Sequence, residues 1–137
     1  MDVNSIESAV ERLPPEYEPL LLTFYRPPLR VVRGRAVIGT DGGTELHVVP
    51  SKGDVVSVAP HGDSPSRFVN SSVEQLARSV AAYARYAQRV AGVDDEAAAR
   101  RLVDQLRREI AGIDTAATAD PEAWWSLILE QADDGLL

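Results

Sequence analysis

The 137-residue chain has no cysteine. This excludes a disulfide framework, a thiolate-ligated zinc or iron–sulfur centre, and a thiol nucleophile. No apolar run approaches the ~20 residues of a membrane span, and the N-terminus, acidic at position 2, has no signal-peptide core. A cytoplasmic chain without a membrane partner is therefore expected. Positive charge is also short: 14 Lys and Arg face 21 Asp and Glu, a formal net charge of −7. Without a domain-wide positive field to hold phosphate backbones, direct nucleic-acid binding is not expected.

What charge there is lies unevenly. From Asp114 to Leu137 there are six acidic residues and no lysine or arginine, so the acidity gathers at the C-terminal end. The length suits a single domain over residues 1–137, large enough to bury a core without a disulfide or structural metal.

Periodicity separates the chain into kinds of element. Asn4 and Glu7 have capping-box spacing, and Ile6, Ala9, Val10 and Leu13 follow on one helical stripe up to Pro14-Pro15. The proline-bracketed run Leu20 to Tyr25 suits a buried strand or a helix turn, the strand being favoured. From Arg35 the period becomes two. "RAVIGT", "TELHVV" and "DVVSVA", separated by "DGG" and "PSKG", predict three antiparallel strands joined by tight hairpins. Leu46 and Val48 share one face and Glu45 and His47 the other, so one side is expected to be covered and the other, with His47, solvated. "PHGDSPS" reads as a loop and "RFV" as a short strand.

The helical half opens at "FVNSSVEQLARSVAAYARY". Ser71 and Glu74 match a capping box. Val73, Leu76, Val80, Tyr83, Ala87 and Val90 form an apolar stripe, with Arg78, Arg85 and Arg89 off it, and Gly92 ends the helix. Asp94 or Asp95 caps the next helix, whose core stripe is Leu102, Val103, Leu106 and Ile110 and whose end is Gly112. Asp120-Pro121 then opens a third helix over "EAWWSLILEQ". The expected fold class is α+β: an antiparallel meander of hairpins packed against N-terminal and C-terminal helices.

Candidate chemistry is sparse. His47 and His61 can be drawn with Asp41, Glu45 and Asp63 as a metal or His/carboxylate site, but none has metal-ligand spacing, and no cofactor is expected. The glycines of "GTDGGTE" lead into a strand, not a helix, so they read as a hairpin turn, not a phosphate cradle. Neither Ser71 nor Ser72 lies in a G-x-S-x-G or S-x-x-K motif. Asn70-Ser71-Ser72 is a sequon only in pattern, since a cytoplasmic chain is not glycosylated. Trp124 and Trp125 would point about 100° apart on a helix, so both cannot easily face one core. With Leu127, Ile128 and Leu129 beside them, that helix is either deeply buried or an interface.

Residues 36–137 resemble the SUKH superfamily of bacterial immunity proteins, specifically its fourth group. The resemblance rests on the I-G-T-D-G-G-T turn, a second glycine-tipped hairpin, the F-V-N-S-S junction before a helix, and a closing D-P-E-x-W-W helix with an acidic end. The resemblance says nothing about the first 30 residues. The resemblance implies a SUKH-like α+β fold, no catalytic residues, and protection of the cell by binding a cognate toxin domain, often a nuclease or nucleic-acid deaminase. Two other readings stand beside it: a scaffold or regulatory module, since the fold also occurs in non-immunity proteins, and a small hydrolase using His47 or His61. On the immunity reading, acidic groups would imitate phosphate to a basic toxin cleft. The expected contacts are Glu130, Asp133 and Asp134 in the tail and Asp41, Asp54 and Asp63 in the hairpin tips and loop, with Trp125 as an aromatic anchor.

Overall fold

The computed structural model describes residues 3–60 and 66–135. Helix α1 (Val3–Val10) buries the expected stripe of Ile6, Ala9 and Val10, and Leu13 just beyond it is buried too. Its start differs from the expectation, because Asn4 lies inside the helix and cannot cap it. Glu7 instead accepts a hydrogen bond from the backbone N–H of Leu29 at 2.9 Å, fastening the helix to a distant segment. The other end is closed by Arg26, which donates to the carbonyls of Val10 (3.0 Å) and Leu13 (2.8 Å). The Val10 carbonyl also accepts from the Leu13 N–H at 2.9 Å, so Arg26 reinforces the end of the helix.

The favoured strand in the proline-bracketed run is present but short. β1 (Glu16–Tyr17) and β2 (Leu22–Phe24) are separated by a 3₁₀ turn over Glu18–Leu20 and by Leu21, which has φ 58°. β3 (Arg30–Val32) and β4 (Arg35–Thr40) are joined by Arg33-Gly34, whose φ values of 52° and 77° fit a two-residue type I′ hairpin. β5 (Glu45–Val48), β6 (Val55–Val58) and β7 (Arg67–Asn70) complete the seven strands among the described residues. The pairs are antiparallel in the order β1-β2-β4-β5-β6-β7, with β3 also pairing with β4. The three central strands are those expected from the two-residue period. Gly39 lies in the strand, as expected from "RAVIGT". It faces Phe24 within β4, and a Cβ there would collide with the Thr23 carbonyl oxygen, while Gly42 (φ 94°) supplies the turn.

The register sorts the sheet into two faces. Ala36, Ile38, Leu46, Val48, Val55 and Val69 join the core. Pairings of Arg30 with Val37, Val37 with His47, His47 with Val56, and Val56 with Phe68 run across the opposite face. His47 was expected to be solvated there, but it is only 6% exposed. It is flanked in register by Val37 and Val56, and its Nε2 lies 3.1 Å from Glu45 Oε1.

The core face is covered by α1, α2 (Val73–Val90), α3 (Glu96–Ile113) and α4 (Trp124–Asp133). α2 packs on α1, β7 and α3, and α4 packs on α3 and β7. The expected stripe of α2 is buried at Val73, Leu76, Val80 and Tyr83, and that of α3 at Val103, Leu106 and Ile110. Arg78, Arg85 and Arg89 are exposed. The caps are partly displaced from expectation. α2 is capped by Ser72, which accepts from the Gln75 N–H at 3.1 Å and donates to Gln75 Oε1 at 2.9 Å, so the box is Ser72–Gln75 rather than Ser71–Glu74. Asp95 caps α3, and Gly112 falls inside that helix, which ends where Asp114 turns extended. α4 begins later than expected. Asp120 accepts from Glu122 N–H through its side chain and from Ala123 N–H through its carbonyl, forming a turn before the helix.

Candidate functional site

The Asn70-Ser71-Ser72 junction is occupied by structure. Asp114, 4% exposed, accepts from the Asn70 side-chain amide (3.1 Å), Ser71 N–H (2.7 Å) and Ser71 hydroxyl (2.9 Å). Asn70 also donates to Ser79 Oγ at 3.2 Å and accepts from Trp125 Nε1 at 2.9 Å. Gln75 reaches the Ile113 carbonyl. One buried carboxylate and one amide thus bind the end of β7, the start of α2, the end of α3 and α4 into one node, satisfying groups that would be costly to bury unpaired. Tyr83 lies close by, with ring centroids 6.4 Å from Trp125 and 6.1 Å from Tyr17. Burial pushes its phenol up to about 12, and burial also raises Tyr17 and Tyr86.

This node fixes the rotation of α4. Trp125, Leu129 and Ala132 point into the core, while Trp124, Leu127, Ile128 and Gln131, spaced i, i+3, i+4, i+7, line a groove of about 290 Å³. The facing wall is Pro19, Leu20 and Leu21, and the end is closed by Asp41, Thr44, Ser57 and Arg67. Asp41 holds the groove together. It accepts from Thr44 N–H (3.1 Å), the Thr44 hydroxyl, and Trp124 Nε1 (2.7 Å). Thr44 and Ser57 hydroxyls are in turn 2.7 Å apart, tying β5 and β6 to the same corner. Arg67 donates to the Glu122 carbonyl (2.9 Å) and carboxylate (3.2 Å), fastening the turn before α4 to β7. At the rim Leu21 is 65% exposed in a left-handed backbone conformation. For an L-residue other than glycine this costs roughly 1–2 kcal/mol.

The structure brings some of the expected contact residues together and separates others. Asp41 is at the groove but engaged in holding it. Glu130, Asp133 and Asp134 are exposed on the last turn and C-terminal end of α4, about 9–15 Å along its axis from Trp124. Asp133 also pairs with Arg107 at 3.2 Å. Asp54 lies at the opposite end of β5 from Asp41, so the two cannot share one small contact. Asp63, like His61, lies outside the described residues. Trp125 is a correction: at 0% exposure it is a core residue, because Asn70 takes its N–H and Trp124 stacks edge-on against it at 4.8 Å. Sequence reasoning missed Leu21 and the groove stripe. The stripe is present in the spacing of residues 124, 127, 128 and 131, but the two tryptophans obscure it, and nothing in "PLLLTF" marks Leu21 as left-handed.

The family model described as SUKH-4 immunity protein matches residues 12–131. The chain belongs to the SUKH-4 immunity protein family. The match starts ahead of residue 36, where the sequence resemblance began, and so takes in β1 to β3 and Leu21. Neither the comparison with curated proteins nor that with solved structures finds a match. Membership gives this SUKH-4 chain an immunity role and agrees with its antiparallel α+β architecture. Among the described residues no helix is long and apolar enough to cross a membrane, and no cluster of three potential metal ligands forms.

Proposed function

We propose that this SUKH-4 protein neutralises a cognate toxin domain by binding it directly, performing no chemistry of its own, with the α4 groove and the acidic end of α4 as the contact surface. Family membership over residues 12–131 carries the reading. The groove supports it: an exposed leucine held in a strained conformation faces half-buried Leu127 and Ile128 across a cleft with a polar end. An apolar centre with a polar rim is the usual anatomy of a binding hot spot. Asp134 and Glu130 are exposed and form no ion pair among the described residues, which leaves their charge free to attract a basic surface. Such a surface belongs to a nuclease or nucleic-acid deaminase, which must hold phosphates. Asp133 adds to this field more weakly because Arg107 neutralises part of its charge.

The test is co-expression with the toxin domains encoded beside the gene. Restored growth and co-purification of one toxin are expected, with the complex weakening as salt rises. Toxicity unchanged with every neighbouring candidate would overturn the proposal. If the wild type protects and Leu127→Glu protects equally well, the immunity reading survives and the groove assignment fails.

A further inference from the structure

The sheet face away from the helices carries a second cleft that the α4 groove does not explain. It measures about 410 Å³ and is lined by Val32, Arg33, Arg35, Glu45, His47, Val58, Ala59 and Pro60. A volume above ~300 Å³ falls in the range of sites that enclose a small ligand or a protruding side chain.

Three observations give this cleft a chemical character. The first is charge. Arg33 and Arg35 form no ion pair among the described residues, whereas Glu45 is already bound by Arg30 and lies 3.1 Å from His47 Nε2. Two arginines without an ion pair therefore share the cleft with a carboxylate that is already compensated. The second is backbone strain. Arg33 occupies the first position of a type I′ turn, where asparagine, aspartate or glycine is favoured, and adopts φ 52°. Arginine has no local hydrogen bond to offset that conformation, and a strained residue of this kind is a reasonable pointer to function. The third is an unpaired atom: among the described residues His47 Nδ1 is the one buried side-chain polar atom without a hydrogen-bond partner. Such a group costs about 1–3 kcal/mol, and the ring that carries it forms part of this wall.

We propose that this cleft is a carboxylate-binding site, taking a singly charged carboxylate on a short apolar stem between Arg33 and Arg35. The guanidinium fork matches carboxylate geometry, and Val32, Val58, Ala59 and Pro60 receive the carbon stem. Inorganic phosphate fits less well, because it has no carbon stem to cover the apolar wall of Val32, Val58, Ala59 and Pro60. The carboxylate can come from a free organic acid or from a glutamate side chain of another protein. The site is separate from the α4 groove and does not depend on the toxin reading.

The test is a titration of the isotope-labelled full chain followed by NMR. The probes are 4-methylpentanoate and the peptide acetyl-Leu-Glu-Leu-amide, with 4-methylpentanamide, acetyl-Leu-Gln-Leu-amide and inorganic phosphate as comparisons. Saturable shifts of the Gly34, Val58 and Ala59 amides and the His47 ring are expected with a carboxylate probe, and much smaller ones with the amides. A response to the free acid alone identifies a small-molecule source, and a response to the peptide alone a protein one; either supports the site. Arg33→Gly suits the left-handed position at least as well as arginine, so it preserves the fold while removing one guanidinium. It should weaken binding about tenfold, the loss of one charge-assisted contact. Equal responses to acids and amides, a response to phosphate alone, no response to any probe, or unchanged affinity in Arg33→Gly would each overturn the proposal.

Discussion

Trp125 Nε1 donates to Asn70 Oδ1 at 2.9 Å across 55 residues of chain, and both side chains are completely buried. Trp125→Phe leaves that oxygen without a donor and should cost about 1–3 kcal/mol. Asn70→Ala also strips a donor from Asp114 and should cost more, about 3 kcal/mol. Urea unfolding of the two variants would check the order. Stabilities equal to that of the wild type would show that the node contributes little.

Gly39 lies where the backbone of β2 crowds β4. Any Cβ there meets the Thr23 carbonyl oxygen, so Gly39→Ala must separate the strands or shift the bulge between Val37 and Gly39. A loss of about 2 kcal/mol or more is expected, read from the thermal midpoint. Gly43, with open space around it, should accept alanine with little change.

Leu21 separates stability from binding. Replacing it with asparagine, which tolerates the left-handed region, should leave the thermal midpoint unchanged or raise it by a few degrees. The same change should weaken protection against the toxin, because the rim of the α4 groove loses its exposed apolar group. Full protection by the variant would remove Leu21 from the contact surface.

Tyr83 makes stability fall at high pH. Its phenol, raised by burial from the ordinary 10.0 to about 12, stays protonated in the folded chain over a range where the unfolded chain has released the proton. The unfolded state then binds fewer protons, so stability decreases as pH rises from about 10 to about 12. Below this window the contribution is fully present. Tyr17 and Tyr86 act in the same direction. Tyr83→Phe should flatten the decline in denaturation curves taken across that interval.

Asp133 and Asp134 are neighbours in sequence but not equivalent. Asp133 already pairs with Arg107, and Asp134 forms no ion pair among the described residues. Asp134→Asn should therefore slow toxin association and reduce its salt dependence more than Asp133→Asn does. Stopped-flow association at two ionic strengths would compare them.

The sequence showed most of the framework because its signals were local. β-Branched segments separated by turn residues over residues 35–58 marked the three central strands, and the stripes of α2 and α3 placed Leu76, Tyr83, Leu106 and Ile110 in the core. What stayed hidden depended on partners far along the chain. Ser71 could not be told from Ser72 as a cap because Asp114, 43 residues away, draws Ser71 off. The need for glycine at position 39 was not visible because the strand that crowds it comes from the N-terminal segment. His47 looked wet because period-two alternation assigns a face without saying what crowds it. The α4 groove was hidden in the same way: its facing wall comes from Pro19 to Leu21, more than a hundred residues upstream.

The two stripes of α4 give this helix a division of labour. Trp125 sets its rotation through the buried node, with Leu129 and Ala132 beside it in the core, whereas Leu127 and Gln131 line the groove and Ile128 lies between groove and core. Changes at Leu127 and Gln131 alter the shape and charge of the groove while leaving the Asn70–Trp125 node in place. If the groove is the toxin contact, as proposed, recognition can be retuned without refolding, by substituting a few side chains on a helix whose seat does not move.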